Sequence, residues 1–225
     1  MAVEAAPLVE RIWNRDAGIW TGGDESRWCG WLDEPARMHR RVPELLEFAR
    51  AVRADGLAHV VLAGMGGSSL APEVLRRTFA VETFDVLDTT HPDAVRALES
   101  RLDLERTLFL VASKSGTTLE TQCHLDYFWE KVDRGEQFAV VTDPRSALEE
   151  HARRHGFRAV WQGEESIGGR YSALSPFGMV PAALMGIDLE RFLFRVQEMV
   201  EACRMHEGNP GLELGRQLGE GWREG

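Results

Sequence analysis

The stretch His59-Val60-Val61-Leu62-Ala63-Gly64-Met65-Gly66-Gly67-Ser68-Ser69 decides the fold of this 225-residue chain. It opens with a short apolar run that has the length and composition of a buried strand. A glycine-rich turn follows, and residues 70–78 are then expected to form a helix. A buried strand that turns through glycine into a helix is the unit from which helix-covered parallel sheets are built.

The same alternation of strand and helix continues along the chain. Besides the strand at 59–63, we expect strands at 84–87, 108–112, 138–142 and 158–161. We expect the intervening helices at 70–78, 92–98, 118–132 and 146–155. This pattern predicts an α/β fold with a doubly wound, five-stranded parallel sheet in the flavodoxin-like order 2-1-3-4-5.

Helical segments are expected before and after the sheet. Residues 3–20 and 34–54 have helical apolar spacing, with a turn-rich stretch between them. After the last strand, helices are expected at 171–185, 189–205 and about 209–219. The chain therefore divides into a helical N-terminal extension (1–54), a central α/β domain (55–188) and a C-terminal helical extension (189–225).

Composition and charge exclude several classes of protein. Hydrophobic residues make up 44% and charged residues 28%, as in globular domains. No apolar run approaches the about 18 residues of a membrane span, and the first residues lack a signal-peptide pattern, so we expect a cytoplasmic protein. The net charge of -10 disfavours binding to nucleic acid or to a membrane surface.

Cysteine usage argues against a metal site or a disulfide framework. The three cysteines, Cys29, Cys123 and Cys203, are widely spaced and form no CxxC pair. Buried free thiols are the simplest interpretation. We therefore expect no metal and no cofactor.

The loop after the first strand is a candidate ligand site. In a sheet of this order, ligands bind beyond the carboxyl ends of strands 1 and 3. The loop 64–69 is rich in glycine and opens onto a helix start, which favours anions. Two alternatives stay open: a simple tight turn, or a degenerate dinucleotide fingerprint in which Ser69 replaces the third glycine and Asp88 is the ribose-binding acid.

The loop after the third strand carries Ser113-Lys114-Ser115-Gly116-Thr117-Thr118. Its hydroxyls and the following helix start supply donors for a phosphate, and Lys114 supplies a charge. Of the 26 basic residues, only Lys114 and Lys131 are lysine. The alternative is an ordinary helix cap by Ser115 or Thr117, with Glu120 completing a capping box.

A third cluster follows the fifth strand at residues 165–172. Gly168 and Gly169 would turn the chain sharply, so that Arg170 could reach across the top of the sheet. A surface arginine after a turn is the alternative.

Taken in this order, the three clusters resemble the first half of the glucose-6-phosphate isomerases. Residues 64–73 are most similar to the isomerase part of bifunctional transaldolase/glucose-6-phosphate isomerases. The shared unit is the sugar isomerase (SIS) domain, here 55–188. The signature Gly168-Gly169-Arg170-Tyr171-Ser172 is specific to these isomerases, whereas the strand-3 loop is shared more widely among SIS domains.

The resemblance implies a role for each matching residue. The sugar-site residues would be Gly67 and Ser68, and the sugar phosphate would be held by Ser113, Lys114, Ser115 and Thr118. Arg170 would be catalytic, because an enediolate intermediate needs a fixed positive charge. The implied ligand is glucose 6-phosphate or fructose 6-phosphate.

The resemblance also implies that catalytic groups are missing. In the family, the base is a glutamate of a second SIS domain, and a later histidine and lysine assist ring opening. No such segments are found here, and His91 and His124 are interpreted as ordinary helix-end or surface histidines. We therefore expect a chain that is inactive alone, and that self-associates or pairs with a second SIS domain. A stand-alone, non-catalytic sugar-phosphate sensor is the alternative.

Overall fold

A computed structural model describes residues 7–225, and its centre is a five-stranded parallel sheet. The strands are β1 (His59–Gly64), β2 (Phe84–Leu87), β3 (Thr107–Ala112), β4 (Phe138–Thr142) and β5 (Ala159–Gln162). Their order is β2-β1-β3-β4-β5, and every neighbouring pair is parallel. The α/β class and the strand order predicted from the sequence are confirmed.

The helices of the described residues cover both faces of this sheet. They are α1 (Leu8–Trp13), α2 (Glu34–Ala54), α3 (Leu70–Thr78), α4 (Pro92–Glu99), α5 (Leu119–Val132), α6 (Ala147–Arg154), α7 (Pro176–Met185), α8 (Leu189–Ala202) and α9 (Pro210–Glu224). One core lies between the sheet and α2, α7 and α8, with part of α3 at its edge. The other lies between the sheet and α4, α5 and α6.

Alternation along the strands explains the two cores. Leu62 and Leu110 enter the core beneath α2 and α7, while Val61 and Phe109 enter the opposite one. Because helices cover both faces, every residue of β3 is buried. Phe109 stacks on Phe128 of α5 with a ring-centroid distance of 4.5 Å. Full burial of such a side chain contributes about 1.5–3 kcal/mol.

The N-terminal helix is shorter than predicted. The expectation for 3–6 lies outside the described residues, and α1 ends at Trp13. Arg15 has a positive φ of 57°, which a helix cannot contain. Asp16 then accepts a hydrogen bond from the Gly18 N–H and starts a short 3-10 turn instead.

The helix predicted at 171–185 is in fact two elements. A 3-10 turn covers Gly169–Leu174, and α7 begins only at Pro176. Ser175 is extended, and its hydroxyl accepts from the Phe177 N–H, so it caps α7. Proline is favoured at the first helical position, which explains the boundary.

The two C-terminal helices also differ in length from the prediction. α8 ends at Ala202, three residues early, whereas α9 continues past Gly219 to Glu224. Arg216 pairs with Glu213 one turn before it and with Glu220 one turn after it. These pairs support the helix across its glycines.

The prediction that the cysteines are buried is confirmed for only one of the three. Cys29 is buried, Cys203 is partly buried, and Cys123 on α5 is exposed. Within residues 7–225, no group of three potential metal ligands lies together. No helix in that range is both long and apolar enough to cross a membrane.

Candidate functional site

The loop after β1 is held close to the loop after β5. Gly66 has a φ of 57° and begins a 3-10 turn that ends at Ser68, after which α3 starts. A Cβ on Gly67 would lie 2.6 Å from the backbone of Gly169, so only glycine fits there. This contact brings two of the three sequence clusters together at the carboxyl edge of the sheet.

The loop after β3 is ordered by its own hydroxyl groups. Ser113 is buried, and its Oγ accepts from the Gly116 N–H at 3.1 Å and lies 3.0 Å from the Thr118 Oγ1. Gly116 has a φ of 68° and packs against Ser146 of the next loop. The buried Ser113 therefore holds the loop together through its hydrogen bonds, while Ser115 and Thr118 remain at the surface of the loop.

The helix caps expected in this loop are not formed. The N-cap of α5 is Thr118, not Ser115 or Thr117, and its side chain makes no capping hydrogen bond. Ser115 Oγ instead accepts from the Thr117 N–H at 3.2 Å. Ser69, the N-cap of α3, also makes no side-chain cap. The first N–H groups of both helices are therefore left for another acceptor at the positive end of each helix dipole.

Lys114 points toward the loops after β4 and β5. Its Nζ donates to Asp143 Oδ2 at 2.5 Å and to the Glu164 carbonyl oxygen at 2.9 Å. An ammonium group has three donors, so one remains for a ligand. Burial raises the pKa of Asp143 above its ordinary value, and the neighbouring Glu165 adds to this although Lys114 opposes it.

Both loops line one cavity of about 470 Å³, which we call the phosphate pocket after the ligand that the sequence predicts for it. It is lined by Trp28, Met65, Gly67, Ser68, Lys114, Ser115, Thr118, Asp143, Glu165 and Gly169. The structure thus brings together five of the seven site residues named from the sequence. Ser113 is not part of the lining, and neither is Arg170.

Arg170 lies in a neighbouring groove of about 910 Å³. The groove and the phosphate pocket share Gly67 and Gly169, so these two glycines form the boundary between them. Arg170 is exposed, and no carboxylate among residues 7–225 forms an ion pair with its guanidinium. Asp88, the acid of the dinucleotide alternative, lines the same groove.

Two lining residues, Asp143 and Trp28, were not noted from the sequence at all. Asp143 directly follows β4, so the strand order alone could have placed it beside Lys114. Glu165 was noted only as part of the third cluster. Trp28 lies in a segment without helical or strand periodicity, and no sequence signal pointed to it.

The two histidines differ in their surroundings. His91 is a helix-end residue as expected, because its Nδ1 accepts from the Asp93 N–H and caps α4. His124 was expected at the surface or a helix end, but it is buried within α5. Burial lowers its pKa, and its Nε2 lies 3.0 Å from the Thr89 carbonyl oxygen. Neither histidine lines the phosphate pocket.

In this sheet the glycine loop and the hydroxyl-rich loop follow β1 and β3, at the point where the strand order reverses, which we call the switch point. This arrangement defines a protein of the sugar isomerase (SIS) fold. Solved structures with this fold include tagatose-6-phosphate ketose/aldose isomerase from Escherichia coli, at a TM-score of 0.57 and 15% identity over 84% of this chain and 53% of that one. The chain belongs to the phosphoglucose isomerase family, whose family model matches residues 42–204.

Curated relatives that match the chain are named glucose-6-phosphate isomerase. The chain is 36% identical over 195 residues to glucose-6-phosphate isomerase from Thermus thermophilus, covering 80% of this chain and 45% of the relative. It is 34% identical to the enzyme of that name from Gloeothece citriformis, covering 72% and 33%. The chain thus spans about half or less of the length of these relatives.

Two solved structures extend the comparison. A hypothetical protein from Thermus thermophilus superposes with a TM-score of 0.78 at 31% identity, covering 94% of this chain and 52% of that one. A glucose-6-phosphate isomerase from Chlamydia trachomatis gives a TM-score of 0.64 at 26% identity, covering 88% and 38%.

Proposed function

We propose that this chain is the sugar-phosphate-binding half of a glucose-6-phosphate isomerase. The reaction would interconvert glucose 6-phosphate and fructose 6-phosphate in cytoplasmic glycolysis and gluconeogenesis. One observation carries the proposal: Lys114, the glycine turn that leads into α3 and the uncapped start of α5 meet around one pocket. A phosphate would supply the acceptors and the negative charge that this arrangement lacks.

The sugar would extend from the phosphate pocket past Gly67 toward Arg170. In that position, the guanidinium would face the carbons where negative charge develops during proton transfer. Because no carboxylate of the described residues pairs with Arg170, its full charge would be available for this purpose. Ser68 is largely buried and lines the pocket, and it would contact the sugar.

The catalytic base would come from outside these 225 residues. Isomerisation needs a carboxylate or similar group that can take a proton beside the carbonyl carbon. Glu73 lines the Arg170 groove, but hydrogen bonds from Arg76 and Arg77 outweigh its burial and lower its pKa, which makes it a weak base. A second SIS domain, in the same protein or in a partner, would supply the base.

Titration calorimetry with fructose 6-phosphate, fructose and inorganic phosphate tests the binding proposal. We expect the sugar phosphate and phosphate to bind, and fructose to bind far more weakly. Equal binding of fructose and fructose 6-phosphate would contradict a phosphate-centred site.

A coupled isomerase assay tests the missing base. We expect no turnover by the isolated chain. Turnover would contradict the proposal, and Asp88→Asn would then show whether Asp88, which lies in the Arg170 groove, is the base. Binding without turnover under all conditions and with all partner chains would favour the alternative of a non-catalytic sensor.

A further inference from the structure

We propose that residues 25–32 form a strap that completes the sugar-phosphate site, with Trp28 as the wall that contacts the sugar. The strap lies before residues 42–204, the part of the chain that the family model matches. This inference rests on the proposed function, because it names a further residue of the same site. It concerns the sugar rather than the phosphate, so the two can be tested separately.

The strap is fixed to the loop that precedes Arg170. Cys29 is buried and forms an isolated antiparallel bridge with Ile167, which is also buried. The Gly30 N–H donates to the Ser166 carbonyl oxygen at 3.1 Å. A Cβ on Gly30 would lie 2.0 Å from Ser166 Oγ, so the two segments are in direct contact. The strap is therefore seated at the site rather than free in solvent.

Trp28 is the side chain that the strap adds to the phosphate pocket. Its Nε1 donates to Asp24 Oδ2 at 3.1 Å, which satisfies the polar edge of the indole and restrains the ring. The residue is still 45% exposed. A restrained, half-exposed indole offers a broad apolar surface in a pocket that is also lined by Lys114 and Ser68.

This chemistry suits the carbon side of a sugar. Ligand pockets combine a few placed polar groups with aromatic walls that exclude water. Here the phosphate would take the polar groups, and the C–H face of the sugar would lie against the indole. The other end of the strap also borders the site, since Trp31 stacks on Tyr171 at 5.9 Å between ring centroids, next to Arg170.

The test compares two ligands by titration calorimetry on the full chain. Trp28→Ala should weaken fructose 6-phosphate binding by about five- to tenfold, the effect of one aromatic contact. Inorganic phosphate should bind unchanged, because it has no C–H face to lie against the indole. Trp20→Ala is the matched control, since Trp20 is 46% exposed and lines neither the phosphate pocket nor the Arg170 groove.

Trp28→Phe keeps an aromatic ring at this position. It therefore keeps the proposal testable even if Trp28→Ala folds poorly. Fructose 6-phosphate should change the tryptophan fluorescence of the unmodified chain, and this change should be lost in Trp28→Phe while most of the affinity remains. Unchanged sugar-phosphate affinity in Trp28→Ala, an equal loss for both ligands, or a fluorescence change that persists in Trp28→Phe would each overturn the strap proposal. An unmodified chain that binds neither ligand would overturn the proposed function, and the strap proposal with it.

Discussion

The helix starts of this molecule fall into two groups. α4, α6, α7, α8 and α9 each begin at a residue whose side chain accepts a hydrogen bond from the first turn. α3 and α5 follow the two strands at the switch point, and neither has such a cap. α1 and α2 also lack a side-chain cap, but they precede the sheet.

In our proposal, the difference marks the place where a ligand completes the fold. A side-chain cap contributes about 1 kcal/mol to a helix, so two missing caps are a measurable loss of stability. Ser69 and Thr118 could both act as caps by residue type, yet their hydroxyls bond elsewhere. In our proposal, the N–H groups at the switch point are left free because an anion is their acceptor.

The largest expected effect concerns the charge beside those free N–H groups. Lys114→Ala removes the one cationic side chain of the phosphate pocket lining. We expect fructose 6-phosphate affinity to fall by about 10- to 100-fold, the usual cost of losing a charge-assisted hydrogen bond.

Titration calorimetry measures this loss, and Lys131→Ala is the matched control. Lys131 is the other lysine, and it pairs with Glu99 away from the pocket. An affinity unchanged by Lys114→Ala, or reduced as much by Lys131→Ala, would show that the phosphate lies elsewhere.

The second prediction converts an uncapped helix into a capped one. Thr118→Asp should cap α5 and raise the unfolding free energy by about 0.5–1 kcal/mol. The same carboxylate should repel the phosphate and weaken sugar-phosphate binding by about tenfold.

Thr118→Asn separates the two effects, because it can cap the helix without a charge. Thermal unfolding and calorimetry of both variants measure them. The opposing changes in stability and affinity are the expected result. Tighter sugar-phosphate binding by Thr118→Asp would be incompatible with an anion at this helix start.

The third prediction concerns the contact that joins the two halves of the site. Gly67→Ala would force the backbone of Gly169 away from the loop after β1. We expect a loss of about 1–3 kcal/mol in unfolding free energy from overpacking, together with weaker sugar-phosphate binding.

Gly219→Ala is the control for glycine replacement as such. A Cβ there meets nothing within 4 Å, and alanine is the better helix former, so a small gain in melting temperature is expected. Gly67→Ala with full stability and affinity would mean that the loops are not in close contact.

The smallest expected effect belongs to a capped helix away from the site. Asp188 caps α8 by accepting from the Arg191 N–H at 3.0 Å. Asp188→Ala should lower the melting temperature by about 2–4 °C for each kcal/mol of lost capping and leave sugar-phosphate affinity unchanged. Asp188→Asn should retain the cap. A change in sugar-phosphate affinity in either variant would contradict the division of the helices into capped starts away from the site and uncapped starts at it.

The fold was predictable from sequence because its signals are local. Short buried runs separated by helices specify a parallel sheet, and the runs at 84–87 and 138–142 match β2 and β4 at both ends. Boundaries failed where local capping and charge-pairing signals were not weighed against the apolar pattern. Ser175 and Pro176 divide one apolar stretch into two elements, and the ion pairs of Arg216 carry α9 across its glycines.

The site was predictable in its loops but not in its surroundings. Strand order places the loops after β1 and β3 side by side, so Gly67, Ser68 and Lys114 could be grouped without a structure. The orientation of Lys114 was not predicted, although its partner Asp143 directly follows the neighbouring strand β4 and strand order could have paired the two. Trp28 reaches the pocket through an isolated bridge with no periodic pattern, and such contacts leave no trace in a sequence.

The central claim is that the glycine turn before α3 and the start of α5 receive the phosphate. Amide chemical shifts of the isotope-labelled chain, followed during a fructose 6-phosphate titration, test it directly. We predict saturable shifts in the Gly67 and Ser68 amides of the turn before α3 and in the Leu119 and Glu120 amides of α5, with the capped starts of α4 and α8 unchanged. Shifts confined to the capped helices, or no saturable shift at the turn before α3 and at the start of α5, would contradict the account.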